Sequence, residues 1–190
     1  MDLYSVLIFA HVLGAVALFA ALGIEVVAFR RLRGARTADQ ARTWMGPLRE
    51  AAGRLGPVAM VTILIAGMWM MALRWGPEPW ILAALVGLVV MAVLGAALTR
   101  RAMGRLSSSL AAEPDHLPTN FRALMEGPLR ISLWLRLSIA VWILGLMTVK
   151  PEVLGSVGII GAAAFLGIAA AIRPSRRRAP VTVEEADSGR

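Results

Sequence analysis

Five side chains in this sequence combine reactive chemistry with an apolar setting: His11, Glu25, Met68, Met71 and Arg136. Polar and ionisable groups are costly to keep inside a membrane-length apolar run, so each one there marks a function or a specific contact. His11 stands alone in the stretch IFAHVLGAVA. A neutral imidazole there can hydrogen-bond a neighbouring helix, serve as an axial ligand to haem b, or bind copper(I) together with thioethers. Gly14, one turn on, leaves room for a flat ring. The other histidine, His116, lies in a polar stretch, so bis-His ligation of a haem across the membrane is excluded. A second ligand would come from Met68 or Met71 in GMWMM, which lie at the depth of His11, or the iron would be five-coordinate. Packing is an equally ordinary use of these methionines.

Helical phase groups some of these residues. At about 100° per residue, Tyr4 falls about 20° and Glu25 about 40° from His11, with Gly14 and Leu18 on the same side. This stripe is expected to face other helices. His11 and Glu25 are not partners, because fourteen residues separate them by about 21 Å along the axis. Glu25 lies five residues in from Arg30, and Arg136 six in from Arg130. Both therefore sit about 8 Å inside the same boundary, and the spacing predicts a structural Glu25–Arg136 ion pair between two helices.

The elements that must position these groups follow from composition. Of 190 residues, 58% are hydrophobic and only 17% charged, against roughly half and a quarter in soluble domains. The apolar residues form blocks of spanning length without in/out alternation, which predicts helices that satisfy their own backbone in lipid. The expected fold is all-α, a bundle of five transmembrane helices at about 3–29, 57–75, 80–99, 131–149 and 153–172. These form one domain over 1–172, followed by a disordered cytoplasmic tail at 173–190. Segments 30–54, 100–130 and 173–190 carry seven, five and five arginines, while the opposite connections hold only Arg74 and Lys150. That bias places the Arg-rich side in the cytoplasm and the N-terminus outside, in a bacterial cytoplasmic membrane. It also accounts for the net charge of +8 without a nucleic-acid partner. The start Met1-Asp2 lacks a basic region, so the first block is not expected to be a signal peptide.

The connections carry further signals. Trp75 and Trp80 bracket the turn GPEP as interfacial anchors, and Trp44 is expected to do the same on the inner side. Segment 37–55 is either a basic amphipathic helix on the inner leaflet, capped at Thr37, or a kinked extension of the second span. Segment 106–119 is expected to be a polar linker. The repeat of GPLR at 46–49 and 127–130 hints at two related hairpins. Thr62, Ser132, Ser138 and Thr148 are expected to bond back to their own helices. Gly155, Gly158 and Gly161 give the fifth span a small-residue face suited to a homo-oligomer or a membrane partner. There is no cysteine, which excludes disulfides and thiol chemistry. So little polar lining argues against transport of charged solutes.

The opening LYSVLIFAHVLGAVALFAALGIEVVAF, with Phe9, His11 and Gly14 in an F-x-H-x-x-G pattern, resembles a family of small bacterial integral membrane proteins of unknown function. The end of the fourth span, LWLRLSIAVWILGLMTVKP, resembles the same group. More distantly, the chain is similar to copper-resistance D proteins and to the membrane-embedded protoporphyrinogen oxidase. The latter likeness implies that His11 holds haem. That oxidase also uses an intramembrane lysine, whereas the single lysine here, Lys150, stands at a membrane edge. Three function classes follow: a haem-binding redox or haem-handling protein, a small permease or channel for neutral or apolar solutes, and a non-catalytic scaffold or accessory subunit.

Overall fold

The computed structural model describes residues 2–113 and 116–150. The expected fifth span, its small-residue face and the tail lie outside the described residues. The described residues form four long helices: α1 (Leu3–Arg33), α2 (Ala38–Trp75), α3 (Pro79–Ala112) and α4 (Phe121–Val149). Each is long and apolar enough to cross a membrane, and no strand occurs among the described residues.

Helix α1 starts where the Asp2 side chain accepts the Ser5 amide at 3.1 Å. It ends with Arg30, Arg31 and Arg33 in its last turn, where positive charge complements the helix dipole. Its buried residues Gly14, Leu18, Ala21, Glu25, Ala28 and Leu32 recur every three or four positions and form one seam. At Gly14 the seam closes on α2, since a Cβ there would lie 2.9 Å from Ile63 Cγ1 and 3.3 Å from the Ala59 carbonyl oxygen. The other close pair is α3 with α4, where the Trp142 ring lies flush on Gly87. Helix α1 also meets α4, whereas α2 and α3 touch little along Gly56–Met70 and Pro79–Leu94 although they are joined by the short turn 76–78. Gly76 makes that turn with φ of 69° and ψ of −172°, a region open essentially to glycine alone.

Three of the helices contain wide i→i+5 turns, at Ala51–Leu55, Met71–Trp75, Gly95–Thr99 and Met125–Leu129. The first precedes Pro57 and the last contains Pro128. A proline removes one ladder hydrogen bond and crowds the carbonyl four residues back, and a widened turn absorbs both. The two GPLR copies differ in backbone: Gly46 is helical, whereas Gly127 has φ of −91° and ψ of −115°.

Of the two readings of 37–55, the structure has the kinked extension of the second span: residues 38–55 continue α2. Their apolar stripe of Ala38, Ala41, Met45 and Leu48 is buried against Ala28, Phe29 and Leu32 of α1 and Met103, Leu106 and Leu110 of α3. Residues 106–112 are likewise helix and not linker, because Leu106 and Leu110 complete that core. Polar contacts tie the same region together. Arg42 donates to the Leu110 carbonyl at 3.0 Å, Arg49 to Ser107, and Arg31 stacks over Trp44. His116 is exposed in the loop between α3 and α4.

Candidate functional site

Two polar centres lie along the bundle, one in each half. In the half bearing Trp75 and Trp80, His11 projects from α1 onto α2. Its Nδ1 lies 3.2 Å from the Ile63 carbonyl oxygen. A carbonyl only accepts, so Nδ1 carries the proton and Nε2 of the neutral ring keeps its lone pair. The ring rests on Gly67, where a Cβ would fall 3.2 Å from His11 Cε1 and 3.3 Å from Nδ1. Ile63 and Gly67 were not singled out from the sequence. Their signal is the i, i+4 spacing on α2, which exposes a strip of backbone, but residue type alone does not announce a carbonyl as a partner.

His11 lines an apolar cleft of about 130 Å³ whose wall also includes Met68, Met71, Leu88 and Met147. The structure thus brings His11, Met68 and Met71 to one cleft. Its outer end is closed by an aromatic clasp that ties all four helices. Trp75 Nε1 donates to the Tyr4 hydroxyl at 2.9 Å, and Arg74 lies over the Tyr4 ring at 5.2 Å. Trp75 and Trp80 meet edge to face at 5.6 Å. Lys150, just past α4, sets its ammonium 4.2 Å from the Trp75 ring centre. The sequence reading of these tryptophans as interfacial anchors missed this mutual contact.

In the half bearing the arginines, Glu25 and Arg136 face each other, both buried. Arg136 Nη1 donates to Glu25 Oε1 at 3.0 Å and Nη2 to Oε2, a two-pronged pair. Arg136 Nε, also buried, has no partner among the described residues. A cavity of about 240 Å³ adjoins the pair, lined by all four helices. Nearby, Ser132 departs from expectation. It does not bond back to its own helix but donates to the Leu94 carbonyl at 3.2 Å and accepts from Thr99 at 2.8 Å. The wide turn beginning at Gly95 loosens the α3 backbone there, which makes the Leu94 oxygen available. Thr62 and Thr148 do bond to their own helices.

Among the described residues no group of three or more His, Cys, Asp or Glu side chains is placed to hold a metal ion. Comparison with protein-family models, curated proteins and solved structures finds no match to this chain.

Proposed function

We propose that the chain is a multi-pass protein of the bacterial cytoplasmic membrane, N-terminus outside, and that its His11 cleft holds haem b. The observation that carries this reading is the His11–Ile63 hydrogen bond. It fixes the tautomer and leaves Nε2 as a free ligand atom, the arrangement that orients metal-bound histidines generally. A preassembled cofactor needs only one or two protein ligands, which His11 with Met68 or Met71 can supply. The first-helix pattern of Phe9, His11 and Gly14 supports the same assignment.

The donor set fits a haem with a His/Met or single His ligation. The volume sets a condition. At about 130 Å³ the cleft is smaller than the roughly 300 Å³ of small ligand sites, so a macrocycle enters only if α2 and α3 part. Gly56–Met70 and Pro79–Leu94 share few contacts, which allows that. The bound group would supply one-electron redox chemistry or be the cargo of haem handling. The chain's own part is to present Nε2, to offer the thioethers of Met68 or Met71, and to exclude water beneath the Tyr4–Trp75–Trp80 clasp.

The test is the visible spectrum of protein purified in mild detergent with haem supplied. A Soret band is expected in the wild type and is expected to vanish in His11→Ala. No band in the wild type, or a band unchanged in the variant, overturns the assignment. The same His11–Ile63 bond also supports a second reading, a non-catalytic scaffold in which His11 only joins α1 to α2. That reading expects His11→Ala to lower thermal stability with no visible spectrum in either protein.

A further inference from the structure

A groove runs between α2 and α3, and the cavity beside Glu25 and Arg136 lies in it, with walls from Gly56 and Met60 of α2 and Met91, Gly95 and Arg100 of α3. Glu25 is neutralised by Arg136, whose two Nη groups each donate to one carboxylate oxygen. Among the described residues the buried Arg136 Nε–H has no acceptor, which is costly. The Arg136 stem passes 3.8 Å from where a Gly95 Cβ would be, and Gly95 is in the cavity wall. At the mouth stands exposed Arg100, which also lines the next cavity along the groove with Arg49. Among the described residues, no acidic side chain other than the neutralised Glu25 lines either cavity.

Toward the other end the groove turns apolar. Leu18, Leu22, Met60 and Met91 line the cavity itself, and Leu64 and Leu88 follow one turn further along α2 and α3. From Arg100 to Leu88 is about 18 Å of helix, against about 15 Å for half of the hydrocarbon layer. A cationic mouth over an apolar trough of one leaflet's depth matches one kind of molecule, an anionic phospholipid.

We propose that the α2–α3 groove binds an anionic phospholipid of the Arg-side leaflet, its phosphate at Arg100 by the mouth of the cavity beside Arg136 and an acyl chain along Met60, Met91 and Leu88. The site rests on the membrane placement above; its charged end at Arg100 is separate from the His11 cleft, which its apolar end meets at Leu64 and Leu88.

The test is native mass spectrometry of full-length protein released from phosphatidylcholine vesicles containing a minor share of phosphatidylglycerol, with thermal melting in parallel. Preferential retention of one phosphatidylglycerol is expected. Arg100→Gln is expected to reduce that preference about tenfold, as loss of a charge-assisted hydrogen bond would. Gly95→Val, which fills the cavity beside Arg136, is expected to abolish it while the protein still melts cooperatively. Three results would each overturn the proposal. One is equal retention of the two lipids. Another is stabilisation by inorganic phosphate alone to the same extent. The third is photocrosslinking from position 96 to residues 153–172 in place of lipid, which would show the groove filled by the chain itself.

Discussion

At the scale of single residues, the buried Glu25–Arg136 pair decides most. Removing one partner strands the other charge, so Glu25→Gln and Arg136→Met should each cost about 3–5 kcal/mol. The double change Glu25→Leu with Arg136→Met, which removes both charges, should recover most of that loss in thermal denaturation in detergent. Equal instability of the double and single variants would show that the pair does not act as a unit. At the other end of α1, Ser5 holds the Asp2 carboxyl below its ordinary value near 3.8, first through its side chain and then through its amide. A lowered folded-state value means that the cap is at full strength above the unfolded value and is lost as pH falls through the folded one. The protection of the Ser5 amide, taken relative to its intrinsic exchange rate at each pH, should therefore hold above the ordinary aspartate value and be lost only below it. Both contacts had legible ingredients. Depth counting from Arg30 and Arg130 matches Glu25 to Arg136, because rise per residue is nearly constant. The His11 partner was not legible, since every residue carries a backbone carbonyl.

At the scale of elements, the close helix pairs hinge on glycine. At Gly87 a Cβ would come 2.5 Å from Trp142 Cζ3, and the ring is buried on both sides of that contact. Gly87→Ala should therefore force α3 and α4 apart and cost about 1–3 kcal/mol. Gly104 sits in a helical stretch of α3 with nothing within 4 Å of an added Cβ. Gly104→Ala should accordingly stabilise by about 0.5–1 kcal/mol. Opposite shifts in melting temperature for these two substitutions are the expected result. Helix boundaries read from hydropathy stopped short, at 57 for the start of the second span and 99 for the end of the third. The helices run on because polar, Arg-rich turns can still bury an apolar stripe when a neighbouring helix offers another. Met45 and Leu48 on α2 find Leu106 and Leu110 on α3 in this way.

At the scale of the whole molecule, the described arginines other than Arg74 lie toward one end of the four helices and the Tyr4–Trp75–Trp80 clasp lies at the other. The membrane placement proposed above puts the clasp outside. The chain has no cysteine, so single cysteines report accessibility without background. Glu78→Cys should react with an impermeant maleimide in intact cells, and Ser108→Cys only after permeabilisation. The reverse pattern would invert the orientation. The clasp joins α1 to α2 through Tyr4 and Trp75, and brings in α3 and the end of α4 through Trp80 and Lys150. Trp75→Leu should thus loosen all four helix ends at once, read as faster exchange of amides near Tyr4 and Val149.

The amino-acid sequence by itself determined that this chain builds long apolar helices, where they lie, and which of their ends carry the arginines. Those properties depend on local composition and on a backbone that must satisfy its own hydrogen bonds. Only the tertiary structure decided that His11 bonds to Ile63, that Ser132 crosses to α3, and that α2 and α3 leave a groove between them. Each of these depends on how far one helix is rotated and offset against the next. Helix rotation and offset are set by the sum of many side-chain contacts across the bundle, a few of them as small as a missing Cβ at Gly14, Gly67 or Gly87.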